Sequence, residues 1–194
     1  MRRLKLYKNK GFIPLETKKS REKSRFLTGF TLVETLVAIT VLTLALGGPM
    51  TLATRSIKDS LASRNKVVAF YLAHEAIEYV KNTRDSNFLE RISGGSNPWL
   101  QGLSVCSSSV NGCRIDVVND SVSGCGSPCE VLRFDSISRV YSYNSGGDSI
   151  FTRKITIDDS LNGGDEAKVI VTVEWTDYGL RNVTLTQNMF NLAP

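Results

Sequence analysis

"GFTLVETLVAITVLTLALGGPMTLAT", residues 29–54, is a run in which Glu34 carries the only charge. From Thr35 to Thr54 nothing charged interrupts it, which gives the roughly 20 residues a helix needs to cross a bilayer. Ahead of it, residues 1–29 hold ten Lys or Arg against Glu16 and Glu22, a net charge of +8. The whole chain of 194 residues carries +5, so residues 30–194 hold about −3. The basic character is thus confined to the N-terminal flank and is not a nucleic-acid signal for the whole protein. By the positive-inside rule the N-terminus stays in the cytoplasm and the rest of the chain is exported. Residues 1–29, polar and without helical periodicity, read as a disordered basic leader.

Within the apolar run, "GGP" at 47–49 weakens the helix and removes a backbone donor, which predicts a kink or a locally melted turn at Gly47, Gly48 and Pro49. The helix resumes over 55–90 as an amphipathic segment. Val67, Phe70, Tyr71, His74, Ile77 and Val80 form the expected apolar face, and Arg64, Lys66, Glu75, Glu78 and Lys81 the polar one. In "RDSNFLERISGGSNPWLQG" (84–102) Gly, Ser, Asn and Pro accumulate, and the helix is expected to end.

Residues 91–129 read as a loop region with one short strand candidate, 114–118. They contain Cys106, Cys113, Cys125 and Cys129. An even count in an exported segment favours two disulfides with three possible connectivities, of which local pairing, Cys106 with Cys113 and Cys125 with Cys129, is the expectation. A four-thiolate metal site is disfavoured, because the spacing lacks the paired CxxC knuckles of a zinc ribbon.

After Cys129 the period changes to two. "EVLRFD" (130–135), "RVYSYN" (139–144), "IFTRKITI" (150–157), "AKVIVTVEW" (167–175) and "NVTLTQNMF" (182–190) are strand-like. The links between them are too short for helical crossovers. The fold class is therefore α+β: a long N-terminal helix, membrane-spanning over 30–54, packed on an antiparallel β-meander that forms the head, 130–194.

The basic leader, Gly29, Phe30, a carboxylate at the fifth position after the glycine and the uncharged span together resemble the processing and assembly signature of type IV pilins and type II secretion pseudopilins. Within that family "LVAITVL" and "HEAIEYVKNTRDSNF" look most like minor subunits. The resemblance implies cleavage by a prepilin peptidase between Gly29 and Phe30 and N-methylation of Phe30. It also implies partners: other pilin or pseudopilin subunits, the peptidase, an inner-membrane assembly platform, and membrane lipid before assembly. The expected location is the inner membrane, single-pass with the N-terminus inside, then an extracytoplasmic filament. In physical terms, cleavage creates an ammonium at Phe30, and Glu34 of a neighbouring chain is the group that can pair with it.

Two other readings compete. Glu34 can be an interfacial charge on an ordinary signal anchor, the chain then being a membrane-anchored extracytoplasmic binding domain. "ALG" at 45–47 offers small residues for signal peptidase, but Gly48 and Pro49 and a carboxylate inside the apolar run argue against that. The residues give no support for an enzyme or a cofactor. His74 is the only histidine, so triads and histidine-based metal sites are excluded. Asp158, Asp159, Asp165 and Glu166 bracket a turn without EF-hand spacing and read as a solvated hairpin loop. "SGGD" (145–148) and "NGGD" (162–165) lack the lysine and the strand-to-helix setting of a phosphate loop. Trp175 is expected beneath the helix, whereas Trp99 sits in the loop region.

Overall fold

The computed structural model describes residues 29–192. The expected leader therefore lies outside the described residues, except for Gly29. The described residues fall into two units, 29–49 and 50–192. The elements in order are α1 (Leu32–Ile92), α2 (Ser104–Ser108), β1 (Cys113–Asp116), β2 (Ser121–Gly124), β3 (Val131–Asp135), β4 (Val140–Ser142), β5 (Gly147–Leu161), a 3-10 turn (Asn162–Gly164), β6 (Glu166–Thr176) and β7 (Leu180–Phe190). The architecture is α+β, one long helix and a seven-stranded antiparallel sheet.

In the first unit every described residue is exposed. α1 is long and apolar enough to cross a membrane, with a window of mean hydropathy 1.9 that buries nothing against protein. Threonine hydroxyls in such a segment need internal acceptors, because lipid supplies none. They have them: Thr35 donates to the Leu32 carbonyl (2.8 Å), Thr40 to Val37 (2.8 Å) and Thr43 to Thr40 (2.9 Å). The locally melted turn expected at Gly47, Gly48 and Pro49 is absent, since all three residues are helical. A proline within a helix forfeits one backbone bond and crowds the preceding turn, but it does not oblige the neighbouring residues to leave helical dihedrals.

In the second unit α1 lies on the sheet through a stripe spaced by threes and fours: Ala69, Leu72, Ala73, Ala76, Ile77 and Val80, all buried. This stripe corrects the expected apolar face. Ile77 and Val80 belong to it, but Val67 (54% exposed), Phe70 (45%) and Tyr71 (67%) do not, and His74 is exposed as well. Side-chain size explains the rotation. Three alanines let the helix backbone approach the sheet closely, which bulky Phe70 and Tyr71 would prevent. Those aromatics instead pack along the outer surface, with Phe70 6.0 Å from Tyr71 and 6.3 Å from His74 between ring centroids.

Opposite the alanines stand alternate residues of the two central strands, in register as Phe151–Trp175, Arg153–Val173, Ile155–Val171 and Ile157–Val169. All of these are buried. Trp175 is in the expected core, 6.0 Å from Phe151. The strands β5, β6 and β7 form the meander read from the sequence. The earlier part of the sheet does not, because β5 returns to pair with β3 and leaves β4 as an outer strand. Gly146 makes this possible. At φ +94° it turns the chain against the backbone of Phe134 and Asp135, leaving no room for a Cβ.

The 91–129 region is more ordered than a loop. Besides β1 it contains α2 and β2, the latter in a hairpin with β1 from Cys113–Gly124 to Asp116–Ser121. Both local cysteine pairs are bonded. Cys106–Cys113 ties α2 to β1, and Cys125–Cys129 closes the link from β2 to β3. Such short loops contribute stability of roughly 2–3 kcal/mol each in the chain-entropy description.

Asp116, at the end of β1, is buried and satisfied on both oxygens. One accepts from the N–H groups of Val118 (3.1 Å) and Asn119 (3.2 Å), the other from the Asn119 amide (2.8 Å) and the Tyr143 N–H (3.0 Å). Burial alone would raise its pKa, but these bonds outweigh it and hold the carboxyl below its usual value. A depressed carboxylate stabilises the fold above its unfolded pKa, near 3.9, and that contribution is lost as pH falls through the folded value. We therefore expect Asp116→Asn to lower stability by about 1–3 kcal/mol at neutral pH. The gap to wild type should narrow below about pH 4. Urea unfolding at several pH values checks this, and a gap independent of pH would refute it.

Candidate processing and assembly site

The sequence-predicted processing and pairing residues lie within six residues at the N-terminal end of α1. Gly29 and Phe30 precede the helix in irregular backbone, and Phe30 is 79% exposed. Among the described residues nothing lies within 4 Å of where a Gly29 Cβ would be, and Gly29 and Phe30 are both exposed.

Thr31 then starts the helix. Its hydroxyl accepts from the Glu34 N–H at 3.2 Å, and its carbonyl accepts from the Thr35 N–H at 3.1 Å. The sequence "TLVE" thus has the spacing of a capping box, with Thr31 as N-cap and Glu34 as third helical residue. The half of that pattern present in the structure is the Thr31 hydroxyl on the backbone N–H of residue 34. An acid in the first turn also complements the positive end of the helix dipole, worth about 0.3–1 kcal/mol. That is less than the roughly 3 kcal/mol an isolated acidic side chain costs near the bilayer centre by insertion scales. Among the described residues Glu34 forms no ion pair. The dipole offsets only part of the cost of a carboxylate here, and among the described residues its charge has no counter-ion.

The other residues singled out in the sequence are dispersed. Asp158 accepts from the Ser160 hydroxyl (2.7 Å), Asp165 from Asn191 (3.0 Å) and Glu166 from Asn188 (2.9 Å), so three of the four turn acids are hydrogen-bonded within the head. Among the described residues no group of three His, Cys, Asp or Glu is placed to hold a metal. Trp99 is buried, and its indole N–H donates to the Gly164 carbonyl at 3.0 Å, tying the loop after α1 to the turn before β6.

Arg153 is the principal residue that the sequence reading passed over. It is 1% exposed and donates to the Leu72 carbonyl (2.8 Å), the Glu75 carboxylate (2.6 Å) and the Ile115 carbonyl (2.6 Å). One guanidinium therefore joins α1, β1 and β5. The signal was present in "IFTRKITI", where strict alternation places Arg153 on the same face as Phe151, Ile155 and Ile157. Compared with protein-family models, curated proteins and solved structures, the chain has no match.

Proposed function

We propose that the chain is a filament subunit of the type IV pilin and type II secretion pseudopilin kind. In this reading it is stored in the membrane by the first part of α1, cut between Gly29 and Phe30, and assembled through that same helix. One observation carries the proposal: an exposed glycine–phenylalanine junction, a capped helix start and a carboxylate that forms no ion pair among the described residues lie within six residues, at the head of an apolar segment that buries nothing among the described residues. Each feature alone has a simpler use, but together they describe a terminus awaiting a second chain. The new ammonium at Phe30 and Glu34 of a neighbour, about 4 Å apart, attract by roughly 4 kcal/mol at an effective dielectric near 20. Each ion left unpaired in apolar surroundings costs several kcal/mol, so arrangements that bring the two together are favoured over those that do not, and pairing sets the register between subunits.

The head supports a structural rather than a catalytic role through its stapled β1–β2 region and its buried arginine clamp. Co-expression with a filament assembly system, followed by shearing and sedimentation, tests the reading. The chain is expected in the sheared fraction with the filaments. Retention wholly in the membrane would favour the anchored binding domain instead.

A further inference from the structure

The β6–β7 turn, residues 177–179, and the first turns of α1 beyond the apolar run share a surface. Thr54 is the last residue of the uncharged run, and residues 55–66 then carry Arg55, Lys58, Arg64 and Lys66 against Asp59 alone. Such cations are unexpected on the exported side of a span, where basic residues are normally sparse. Lys58 lies four residues past Thr54, about 6 Å further along a helix. The polar zone of one leaflet is about 5–8 Å deep, so Lys58 falls at headgroup level.

The hairpin reaches the same level. The Lys58 ammonium sits 5.0 Å above the Tyr178 ring. Tyr178 is 63% exposed and Leu180 77% exposed, two large apolar side chains at a hairpin tip that nothing in the head covers. Arg181 follows, its Nε on Asp177 at 2.9 Å. Between this turn and α1 is an open cleft of about 540 Å³ whose charged lining is Lys66, Arg181 and Asp59. A tyrosine and a leucine flanked by cations, level with the phosphates, match the aromatic and basic belt by which proteins seat in a membrane interface.

We propose that this face docks on the anionic phospholipid headgroups of the leaflet into which α1 emerges, with Tyr178 and Leu180 inserted among them and Arg55, Lys58 and Arg181 against the phosphates. The docking rests on the membrane anchor alone and not on filament assembly. It holds the head against the bilayer, and any process that extracts α1 must break it.

The full chain carrying Tyr178→Trp, reconstituted into vesicles containing lipids brominated near the glycerol end of the acyl chains, tests this against the wild-type background of Trp99 and Trp175. In vesicles of phosphatidylglycerol and phosphatidylethanolamine the added indole is expected to be quenched. Quenching should fall by about twofold or more in phosphatidylcholine alone, or when Arg55→Glu and Lys58→Glu are added. An unquenched indole in a chain that resists carbonate extraction would overturn the docking while leaving the anchor intact. Quenching indifferent to lipid charge would overturn the role of the cations. Release by carbonate would overturn anchor and docking together.

Discussion

Replacing Arg153 by alanine is expected to lower the stability of the head by about 3–5 kcal/mol, the largest effect of any single side chain. The guanidinium is buried, and its partners come from two elements distant in sequence from β5: Leu72 and Glu75 of α1, and Ile115 of β1. Removal leaves the buried Ile115 carbonyl without this donor, opens a cavity beside Leu72 and separates Glu75 from its cation. Arg153→Met keeps most of the stem, so it restores the cavity contribution but not the hydrogen bonds, and should recover about 1–2 kcal/mol. Glu75→Gln should cost about 1 kcal/mol or less, because that carboxyl is 38% exposed and water substitutes for much of the pairing. The clamp is imperfect, since Arg153 Nε is buried without an acceptor. The stabilisation therefore comes from the two terminal nitrogens. Urea unfolding of the detergent-solubilised chain, followed by the fluorescence of Trp99 and Trp175, ranks the three variants. An Arg153→Ala midpoint equal to that of wild type would remove the clamp from the account.

Glu34→Ala is expected to leave maturation intact and to reduce recovery in sheared filaments by at least about tenfold. The substitution does not disturb the helix start, because the bond that caps it runs from the backbone N–H of residue 34 to the Thr31 hydroxyl. What it deletes is the charge. An unpaired Phe30 ammonium inside an apolar bundle would then face a desolvation penalty of several kcal/mol, large against the roughly 1.4 kcal/mol that changes an equilibrium tenfold. Glu34→Gln isolates the charge further, since it retains the size and hydrogen-bonding capacity of the side chain while removing the charge. If the glutamine variant assembles as well as wild type, pairing is not what sets the register.

The sequence made these elements legible in proportion to how local their causes are. The apolar run, its single carboxylate and the three long strands of the meander depend on neighbours within a few residues, and they appear where the pattern put them. The disulfide pairing followed for the same reason, each pair being close along the chain. Features that depend on contacts far along the chain were not legible. Which face of α1 is buried was decided by Ala69, Ala73 and Ala76, whose value lies in how near the sheet can approach, and a hydrophobicity pattern weights them below Phe70 and Tyr71. The outer position of β4 came from the turn at Gly146. β2, "SVSG", has little strand propensity and is held by pairing with β1.

At the candidate site the residues were all legible, because the motif is contiguous. Only the hydrogen bond by which Thr31 starts the helix needed coordinates. Arg153 was hidden because a basic residue in an alternating strand is ordinarily assigned to the solvent face.

Mass spectrometry of the chain expressed with and without a prepilin peptidase tests the central claim most directly. The account predicts loss of residues 1–29 only when the peptidase is present, and a new N-terminus at Phe30 bearing one methyl group. An N-terminus that stays intact in the presence of the peptidase, or one created after Gly47, would contradict it.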